Sequence, residues 1–215
     1  MRDLQRAPKP YLVGIAGPSG SGKTELSRRL AAMLPAQIVS IDSYYRDLPE
    51  LPFEERALSN FDSPEMIDHD LLARHLNLIA AGRQVEMPVY DFARHAREEK
   101  THRLRPREFV IVEGLFALYW KDIRDLFGTK VFVATEDQVC FERRLERDVR
   151  ERGRSEESVL LQYATTVRPM ASRYVLPSRA HADVVASGTD ALARSAAAVL
   201  AHIEAALQIQ SGMRR

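Results

Sequence analysis

Short apolar segments alternate with longer segments of helical periodicity along most of this chain. Residues 11–16 (YLVGIA) and 109–113 (FVIVE) are apolar runs of strand length, whereas residues 71–79 repeat apolar side chains at helical spacing up to Gly82. Further strands are predicted over residues 37–41, 130–134 and 182–186. Further helices are predicted from Gly22 to about Pro35 and over residues 137–151, 155–167 and 190–207. This alternation is typical of βαβ units and predicts an α/β protein with a parallel sheet.

Two insertions interrupt this pattern. Residues 42–64 are polar and contain prolines, and loops of this length inside a compact domain are usually functional. Residues 85–92 and 101–104 have the composition of two short strands that could pair as a hairpin. Pro169 is expected to end or kink the helix that precedes it. We therefore predict one doubly wound α/β domain with insertions between its elements.

The composition is ordinary for a globular protein and carries no strong charge bias. Of the 215 residues, 45% are hydrophobic and 28% are charged, and the formal net charge is only +1. This balance argues against a nucleic-acid-binding surface and against a charged membrane anchor. The single cysteine, Cys140, excludes an intrachain disulfide framework, and residues 11–16 are too short an apolar run for a signal peptide or membrane span. We therefore expect a cytoplasmic protein that binds neither nucleic acid nor membrane.

A glycine-rich segment follows the first predicted strand directly and precedes the first predicted helix. Residues 17–24 (GPSGSGKT) satisfy the pattern G-x-x-x-x-G-K-[ST], in which the backbone N–H groups of a tight turn and the helix N-terminus face a phosphate. Lys23 can reach the β- and γ-phosphates, and the Thr24 hydroxyl can ligate Mg²⁺. The predicted nucleotide-binding residues are Gly17, Ser19, Gly20, Ser21, Gly22, Lys23 and Thr24. Switch GTPases, motors and small-molecule kinases all share this loop, so it predicts nucleotide binding only.

Two carboxylates lie at the ends of predicted strands. Asp42 follows the second strand, and Glu113 ends the FVIVE strand before Gly114, which lets the backbone turn away. Open α/β sheets bind their ligands at these strand ends, and a kinase needs both an orienting base for the acceptor and a carboxylate on the metal side. Either carboxylate alone could be a helix cap or a loop acid. Two of them beside a phosphate-binding loop favour phosphoryl transfer.

The helix predicted over residues 137–151 and the segment after it are rich in arginine. The arginines are Arg143, Arg144, Arg147, Arg150, Arg152 and Arg154. The pairs Glu146–Arg150 and Asp148–Arg152 are four residues apart and could form on a solvent-exposed helix, so we expect at least half of these arginines to lie in surface ion pairs. Gly153 breaks the helix inside the basic run, which suits a mobile lid over a triphosphate.

Further motifs follow the phosphate-binding loop in a definite order. They are DSYYRDL (42–48), NFDSP (60–64), PVYDFARHAR (88–97), VEGLFAL (112–118), RRLERDVRERGR (143–154), QYATTVRPM (162–170) and LPSRAHADVV (176–185). With these motifs the chain resembles the uridine kinase (uridine–cytidine kinase) family over residues 11–185. The resemblance implies a P-loop NTPase fold, with a five-stranded parallel sheet flanked by helices, a small β-hairpin over the acceptor site and a helical lid. It also implies a homo-oligomer, commonly a tetramer.

The resemblance implies transfer of the γ-phosphoryl group of ATP or GTP to the 5′-hydroxyl of uridine or cytidine, with Mg²⁺. It makes Asp42 the catalytic base or orienting group and places Lys23, Arg147 and Arg152 at the phosphates. It makes Thr24 and Glu113 the metal-side residues. The implied acceptor contacts are Asp62 and Arg144 on the ribose, Tyr45, Tyr90, Phe92 and His95 around the pyrimidine, and Arg154 and Gln162 on the base. The implied domain organisation is a tail at 1–10 and a kinase domain at 11–210, with a hairpin at about 84–105 and a lid at about 143–160.

Other functions remain open on the sequence. A related P-loop kinase of another small hydroxylated metabolite, such as a phosphoribulokinase-like enzyme, is typically longer and lacks the PVYDF-x-x-H block. A silent binding module is disfavoured because Lys23, Asp42 and Glu113 are present together. A nucleotide-dependent switch would need a water-positioning residue and no acceptor pocket. Residues that differ from those frequent in the uridine kinase family are Ile41, Ala134, Gln138 and Cys140.

Overall fold

The computed structural model describes residues 9–212, which are built around a parallel sheet of five strands. In spatial order these are β2 (Ala36–Ser40), β5 (Phe109–Glu113), β1 (Tyr11–Ala16), β6 (Thr129–Ala134) and β7 (Val184–Ser187). A separate antiparallel pair consists of β3 (Val85–Asp91) and β4 (Ala96–Leu104). The predicted five-stranded parallel sheet is confirmed. The predicted tail, residues 1–10, lies outside the described residues except for Lys9 and Pro10.

Helices flank the sheet and connect its strands. The α-helices are α1 (Lys23–Met33), α2 (Phe53–Ala57), α3 (His69–Ala80), α4 (Lys121–Arg124), α5 (Asp137–Arg152), α6 (Glu156–Gln162), α7 (Arg168–Met170) and α8 (Leu192–Gly212). Segments of 3₁₀-helix cover Ile41–Tyr44, Pro64–Met66 and Leu176–His181, and π-helical turns cover Tyr163–Val167 and Ala171–Val175. The long polar insertion at residues 42–64 therefore contains a short helix and two 3₁₀ segments rather than irregular loop alone.

The sheet is buried on both faces, because successive side chains of a strand point to opposite sides. On β1, Leu12 packs in one hydrophobic cluster with Leu76 of α3. Its neighbour Val13 packs in a second cluster with Leu30 of α1 and Val199 of α8. Truncating a leucine buried in this way to alanine typically costs about 2–5 kcal/mol, so these two layers hold the sheet rigidly.

The parallel pairing brings the functional strand ends to one edge of the sheet. Ile15 of β1 is in register with Glu113 of β5, and Ser40 of β2 is in register with the same Glu113. The phosphate-binding loop therefore leaves β1 beside the carboxylate that ends β5, while Asp42 leaves β2 on the other side of it. This arrangement follows from the strand order alone.

Most predicted elements match the observed ones, and the differences have local causes. The strands β1 and β5 cover the predicted residues. The strand β2 ends at Ser40, because a 3₁₀ turn begins at Ile41. The strand β4 starts at Ala96, before the predicted residue 101, since its mostly exposed and charged side chains give no apolar signal.

Of the two alternatives predicted for Pro169, that it ends or kinks the preceding helix, the first is wrong, because the helical segment does not end there. Helical backbone continues from Glu156 to His181 through α6, α7 and the turns around them. Proline lacks an N–H group and clashes with the carbonyl four residues before it. Here it lies in the first turn of α7, where a missing N–H is tolerated, and wider π-helical turns flank that helix on both sides.

The C-terminal helix α8 is the one element among residues 9–212 that is long and apolar enough to cross a membrane by length and composition. The stretch Leu192–Ile209 has a mean hydropathy of 1.2. Within it Ala196, Val199 and Ile203 are buried in the core cluster that covers one face of the sheet. The core helix of a soluble domain passes the same test, so this stretch is weak evidence for a membrane span.

Candidate active site

The phosphate-binding loop connects β1 to α1 through a backbone that only glycine adopts readily. Gly20 has φ +81°, and a Cβ atom there would lie 2.3 Å from the carbonyl oxygen of Cys140 on α5. Gly22 has φ +97° and is the N-cap residue of α1. Left-handed backbone at these positions costs glycine little, so the loop can turn its N–H groups inward. Lys23 follows at once, and its Nζ donates to the Pro18 carbonyl at 3.4 Å.

Glu113 lies directly behind this loop. It is 5% exposed, and its Oε2 accepts a hydrogen bond from Thr24 Oγ1 at 3.3 Å. Burial raises the pKa of Glu113, the Lys23 ammonium opposes the rise, and the nearby Asp42 carboxylate adds to it. A buried carboxylate beside a hydroxyl and a lysine fits a divalent cation, whose charge would replace the missing solvation.

The residues present fit Mg²⁺ rather than a metal held by protein ligands alone. Mg²⁺ usually takes one or two protein oxygens and completes its shell with phosphates and water. Thr24 and Glu113 supply such a pair. Among residues 9–212, no group of three or more His, Cys, Asp or Glu side chains could hold a metal ion.

One cavity of about 1020 Å³ extends from the phosphate-binding loop to the β3–β4 hairpin. The predicted site residues that line it are Ser19, Lys23, Thr24, Asp42, Tyr45, Asp62, Tyr90, Phe92, His95, Arg144, Arg147, Arg152, Arg154 and Gln162. Gly17, Gly20, Ser21 and Gly22 belong to the loop, and Glu113 lies behind Thr24. The structure thus brings the predicted residues together around one space, although they come from six separate parts of the chain.

An aromatic cluster forms the hairpin side of the cavity. Tyr45 lies 5.2 Å from Phe61 and 5.3 Å from Tyr90 between ring centroids, and Tyr90 lies 5.4 Å from Phe92. Phe61 is stacked on His95 at 5.0 Å with an interplanar angle of 22°. Phe61 lies in the NFDSP motif and was not predicted as a site residue, although its position beside Asp62 could have indicated such a role. Such a cluster offers flat, apolar surface to a planar ligand.

His95 is held at the tip of the hairpin in an uncommon backbone conformation. Its φ is +48°, a left-handed value that costs a non-glycine residue about 1–2 kcal/mol. Asp91 stabilises the turn, since its Oδ1 accepts from the Ala93 and Arg94 N–H groups at 2.8 and 3.1 Å. Burial lowers the pKa of His95, and Arg154 lowers it further. The imidazole is therefore neutral near pH 7 and can donate or accept a hydrogen bond.

A buried polar network lies next to the aromatic cluster. Asp62 accepts two hydrogen bonds from Arg144, at 3.1 Å on Oδ1 and 3.4 Å on Oδ2. The side chains of Arg144 and Asp62 are only 6% and 8% exposed. The Gln162 Oε1 accepts from Arg144 at 3.0 Å and from Arg154 at 2.6 Å. Bidentate carboxylate–guanidinium geometry fixes these groups, so the network presents oriented polar atoms to the cavity.

The arginines between residues 143 and 154 form fewer surface ion pairs than the sequence indicated. Arg144, Arg147, Arg152 and Arg154 line the cavity, and Arg143 donates to the carbonyls of Gly20 and Gly188. The expectation that at least half would lie in surface ion pairs is therefore wrong. Glu146 and Arg150 do pair on the surface, at 3.4 Å.

The expected surface pair between Asp148 and Arg152 needs the same correction. Asp148 Oδ1 lies 3.4 Å from Arg152 Nη1, but the Asp148 side chain is fully buried. The face of α5 that carries Asp148 points towards the cavity because α5 packs along α6 and the phosphate-binding loop. Arg152 also lies over the ring of Phe92, with its guanidinium carbon 5.2 Å from the ring centroid.

Arg97 connects the hairpin to the segment that carries Asp42 through hydrogen bonds. Its Nε donates to the Tyr45 carbonyl at 2.8 Å, and its Nη2 contacts the Tyr44 carbonyl and Asp68 Oδ2, both at 3.2 Å. Arg97 was not predicted as a site residue, although it is the last residue of the PVYDFARHAR motif. These contacts fix the aromatic wall relative to the strand ends.

A phosphate-binding loop that shares one cavity with an aromatic pocket, at the carboxyl edge of a parallel sheet, defines the class of P-loop kinases. The sequence model of the Phosphoribulokinase / Uridine kinase family matches residues 12–191. The chain belongs to that family, as its motifs indicated, and the prediction of a kinase is confirmed.

Relatives and structural neighbours agree with this classification. A uridine kinase from Chloroflexus aurantiacus is 43% identical over 202 residues, which cover 93% of this chain and 97% of that protein. A uridine kinase from Streptococcus thermophilus is 43% identical over 180 residues, covering 82% and 85%. Phosphoribulokinase from Rhodobacter spheroides has a TM-score of 0.59 at 16% identity, covering 83% of this chain and 70% of that one. A gluconokinase from Sinorhizobium meliloti has a TM-score of 0.55 at 18% identity, covering 95% and 99%. The last two show the fold alone.

Proposed function

We propose that this protein is a uridine/cytidine kinase that transfers the γ-phosphoryl group of ATP or GTP to the 5′-hydroxyl of uridine or cytidine. The products would be UMP and CMP, which places the reaction in pyrimidine salvage. The observation that carries the proposal is a single cavity lined by Lys23, Asp42, the buried Asp62–Arg144 pair and an aromatic wall. The names of relatives at 43% identity over most of the chain support it.

The aromatic cluster suits a pyrimidine base. Tyr45, Phe61, Tyr90 and Phe92 provide stacking surface, and stacking on an aromatic side chain contributes about 1–3 kcal/mol per base. A neutral His95 at the base edge tolerates both uracil and cytosine, because it can donate or accept. Gln162 and Arg154 lie within the same lining and can contact the base polar groups.

The buried Asp62–Arg144 pair suits a ribose diol. Asp62 can accept from hydroxyl groups and Arg144 can donate to them, while their mutual hydrogen bonds keep both side chains in place. A sugar without one of these hydroxyls would leave charged, buried atoms without a partner, which is costly. We therefore expect a ribonucleoside in preference to a 2′-deoxyribonucleoside.

Phosphoryl transfer would use Asp42 on the acceptor side and cations on the phosphate side. Asp42 follows β2 and would align the 5′-hydroxyl for in-line attack and accept its proton. Lys23, Arg147 and Arg152 would stabilise the negative charge on the transferring group. Thr24 and Glu113 would hold Mg²⁺, which neutralises phosphate charge when bound.

An acceptor panel tests the proposal. Purified protein with MgATP should convert uridine and cytidine to 5′-monophosphates, with 2′-deoxyuridine and adenosine as poor acceptors. The Lys23→Ala variant, purified in the same way, is the control for contaminating kinases. Turnover of ribulose 5-phosphate or gluconate in place of nucleosides would contradict the proposal.

We further propose the domain organisation that the family resemblance implies. One kinase domain covers residues 11–210, with the β3–β4 hairpin as an insertion at about 84–105 and the arginine-rich lid at about 143–160. By the same resemblance we propose a cytoplasmic homo-oligomer, with a tetramer as the state to test by light scattering.

A further inference from the structure

Asp148 is a buried charge that the proposed reaction does not use. Its side chain has no exposed surface, although it lies on α5 between residues that line the cavity. A carboxylate excluded from water is costly unless cations surround it. Here four guanidinium groups do so, which makes Asp148 the centre of the arginine cluster.

The two carboxylate oxygens of Asp148 face different arginines. Oδ1 lies 2.8 Å from Arg147 Nη2, 2.9 Å from its Nε and 3.4 Å from Arg152 Nη1. Oδ2 lies 3.5 Å from Arg144 Nε and 3.5 Å from Arg154 Nη1, which makes two ion pairs without a hydrogen bond. One oxygen therefore contacts the pair assigned to the phosphates, and the other contacts the pair assigned to the nucleoside.

The nucleoside-facing pair, Arg144 and Arg154, also contacts the polar network around Asp62. Arg144 binds Asp62 and Gln162, and Arg154 binds the same Gln162 oxygen. The first pair has fewer other partners, since Arg152 otherwise lies over Phe92 and Arg147 is 34% exposed. Removing the charge of Asp148 would leave four mutually repelling cations, of which only Arg144 has another carboxylate, Asp62, within ion-pair distance among residues 9–212.

We propose that Asp148 is a positioning residue, whose two carboxylate oxygens hold the phosphate-facing and nucleoside-facing arginines in register across one active site. It is fully buried and does not line the cavity, so it acts through the arginines. Burial alone would raise the pKa of Asp148, but Arg147, Arg152 and Arg144 reverse the effect and lower it. The group is therefore ionised over the whole working pH range and acts as a permanent anchor.

The main chain of Asp148 adds a second link to the lid. Its carbonyl oxygen accepts hydrogen bonds from the N–H groups of Gly153 and Arg154, which close the end of α5. Gly153 has φ +64°, and nothing lies within 4 Å of a Cβ atom built there. The turn between α5 and α6 is therefore bonded to the main chain of the residue whose side chain contacts the four arginines. Side-chain variants leave this backbone link in place and test the carboxylate alone.

Three variants separate charge, position and surface effects. Asp148→Asn removes the charge with little change of shape. Asp148→Glu keeps the charge but moves it by one methylene at a fully buried position, so it remains informative if the first variant folds poorly. Glu146→Gln is the matched control, because it removes an acid from the same helix, where Glu146 pairs with the exposed Arg150.

The inference rests on the proposed function for the nucleoside side of the cluster. For both Asp148 variants we expect a higher KM for uridine and a lower kcat, with kcat/KM reduced on the order of 10²-fold, as expected for misplaced catalytic groups. We expect Glu146→Gln to match the wild type. The Asp148→Asn and Arg147→Ala effects on kcat should not multiply in the double variant, because Asp148 acts through Arg147.

Binding of a fluorescent ATP analogue with Mg²⁺, measured without acceptor, makes the test independent of the nucleoside assignment. Its Kd should rise about tenfold or more in Asp148→Asn and not in Glu146→Gln, since Lys/Arg contacts to phosphate weaken. If the wild-type protein does not phosphorylate uridine, the proposed function is wrong. The Kd of the ATP analogue still tests the role of Asp148 in that case. The inference is wrong if Asp148→Asn leaves the Kd of the ATP analogue unchanged. It is also wrong if the variant keeps the wild-type KM for uridine and its kcat falls only in proportion to the folded fraction.

Discussion

Recognition of the ribose by Asp62 gives the sharpest mutational test of the acceptor site. Asp62→Ala removes the carboxylate that accepts two hydrogen bonds from Arg144 and lies in the cavity lining. If that carboxylate recognises the ribose, the variant should lose the ability to distinguish uridine from 2′-deoxyuridine. It should lose uridine turnover much more than deoxyuridine turnover.

The structure sets the size of this effect. A hydrogen bond to a charged group contributes about 1.5–3 kcal/mol, which corresponds to roughly 10–150-fold in kcat/KM. We expect wild-type discrimination in this range and discrimination within about threefold in the variant. Breaking a buried ion pair can cost about 3–5 kcal/mol of stability. Here Arg144 keeps Gln162 and Asp148 as partners, so we expect a smaller loss of about 1–3 kcal/mol.

The assay compares kcat/KM for both nucleosides in wild type, Asp62→Ala and a control, with thermal unfolding to verify the fold. Asp70→Ala is the control, because the Asp70 side chain on α3 is 97% exposed. A folded Asp62→Ala protein that still rejects deoxyuridine as strongly as the wild type would refute the reasoning.

Three further predictions concern the phosphate side and pH. Lys23→Ala should abolish turnover while leaving the fold intact, and appreciable kcat/KM in a folded variant would contradict the role of the loop. Asp42→Asn should lower kcat by about 10²–10⁴ with little change in nucleoside affinity. Glu113→Gln should instead raise the Mg²⁺ concentration needed for half-maximal activity. Full rescue of Asp42→Asn by excess Mg²⁺ would contradict its role as the base and make Asp42 a metal-side residue. Burial lowers the pKa of His95 below its ordinary 6.5, so uridine KM should stay flat from about pH 8 to 7 and rise in the acid range below about pH 6.5 as the imidazole becomes charged; a KM that rises between pH 8 and 7 would contradict this.

The fold was largely predictable because its strongest signals are local. The apolar runs at β1 and β5 lie inside the sheet, buried on both faces, and their boundaries match the prediction. The helical segment around Pro169 was not predictable, because a proline normally ends a helix and the π-helical turns that flank it leave no mark in the sequence. The charged strand β4 was only partly predictable, since pairing with β3 rather than apolar alternation defines it.

The site residues that belong to ordered motifs were predictable from the sequence. The roles that depend on burial were not. The predicted site residues that line the cavity, from Ser19 to Gln162, lie in the phosphate-binding loop and the other motifs, and the fold brings these segments together. Asp148 was assigned to the surface because charges four residues apart have the same spacing on exposed and buried helices. Only the packing of α5 shows that Asp148 is enclosed. Phe61 was overlooked because a single aromatic residue among polar ones gives no periodic signal.

The central claim is that a pyrimidine ribonucleoside occupies this cavity with its 5′-hydroxyl at Asp42. The most direct test is a crystal structure with uridine and a non-hydrolysable ATP analogue bound. We predict the 5′-oxygen within about 3 Å of the Asp42 carboxylate and in line with the γ-phosphate, the ribose hydroxyls on Asp62 and Arg144, and the base against the aromatic wall. A nucleoside bound elsewhere, or bound here with its 5′-oxygen pointing away from Asp42 and the phosphate-binding loop, would contradict the account.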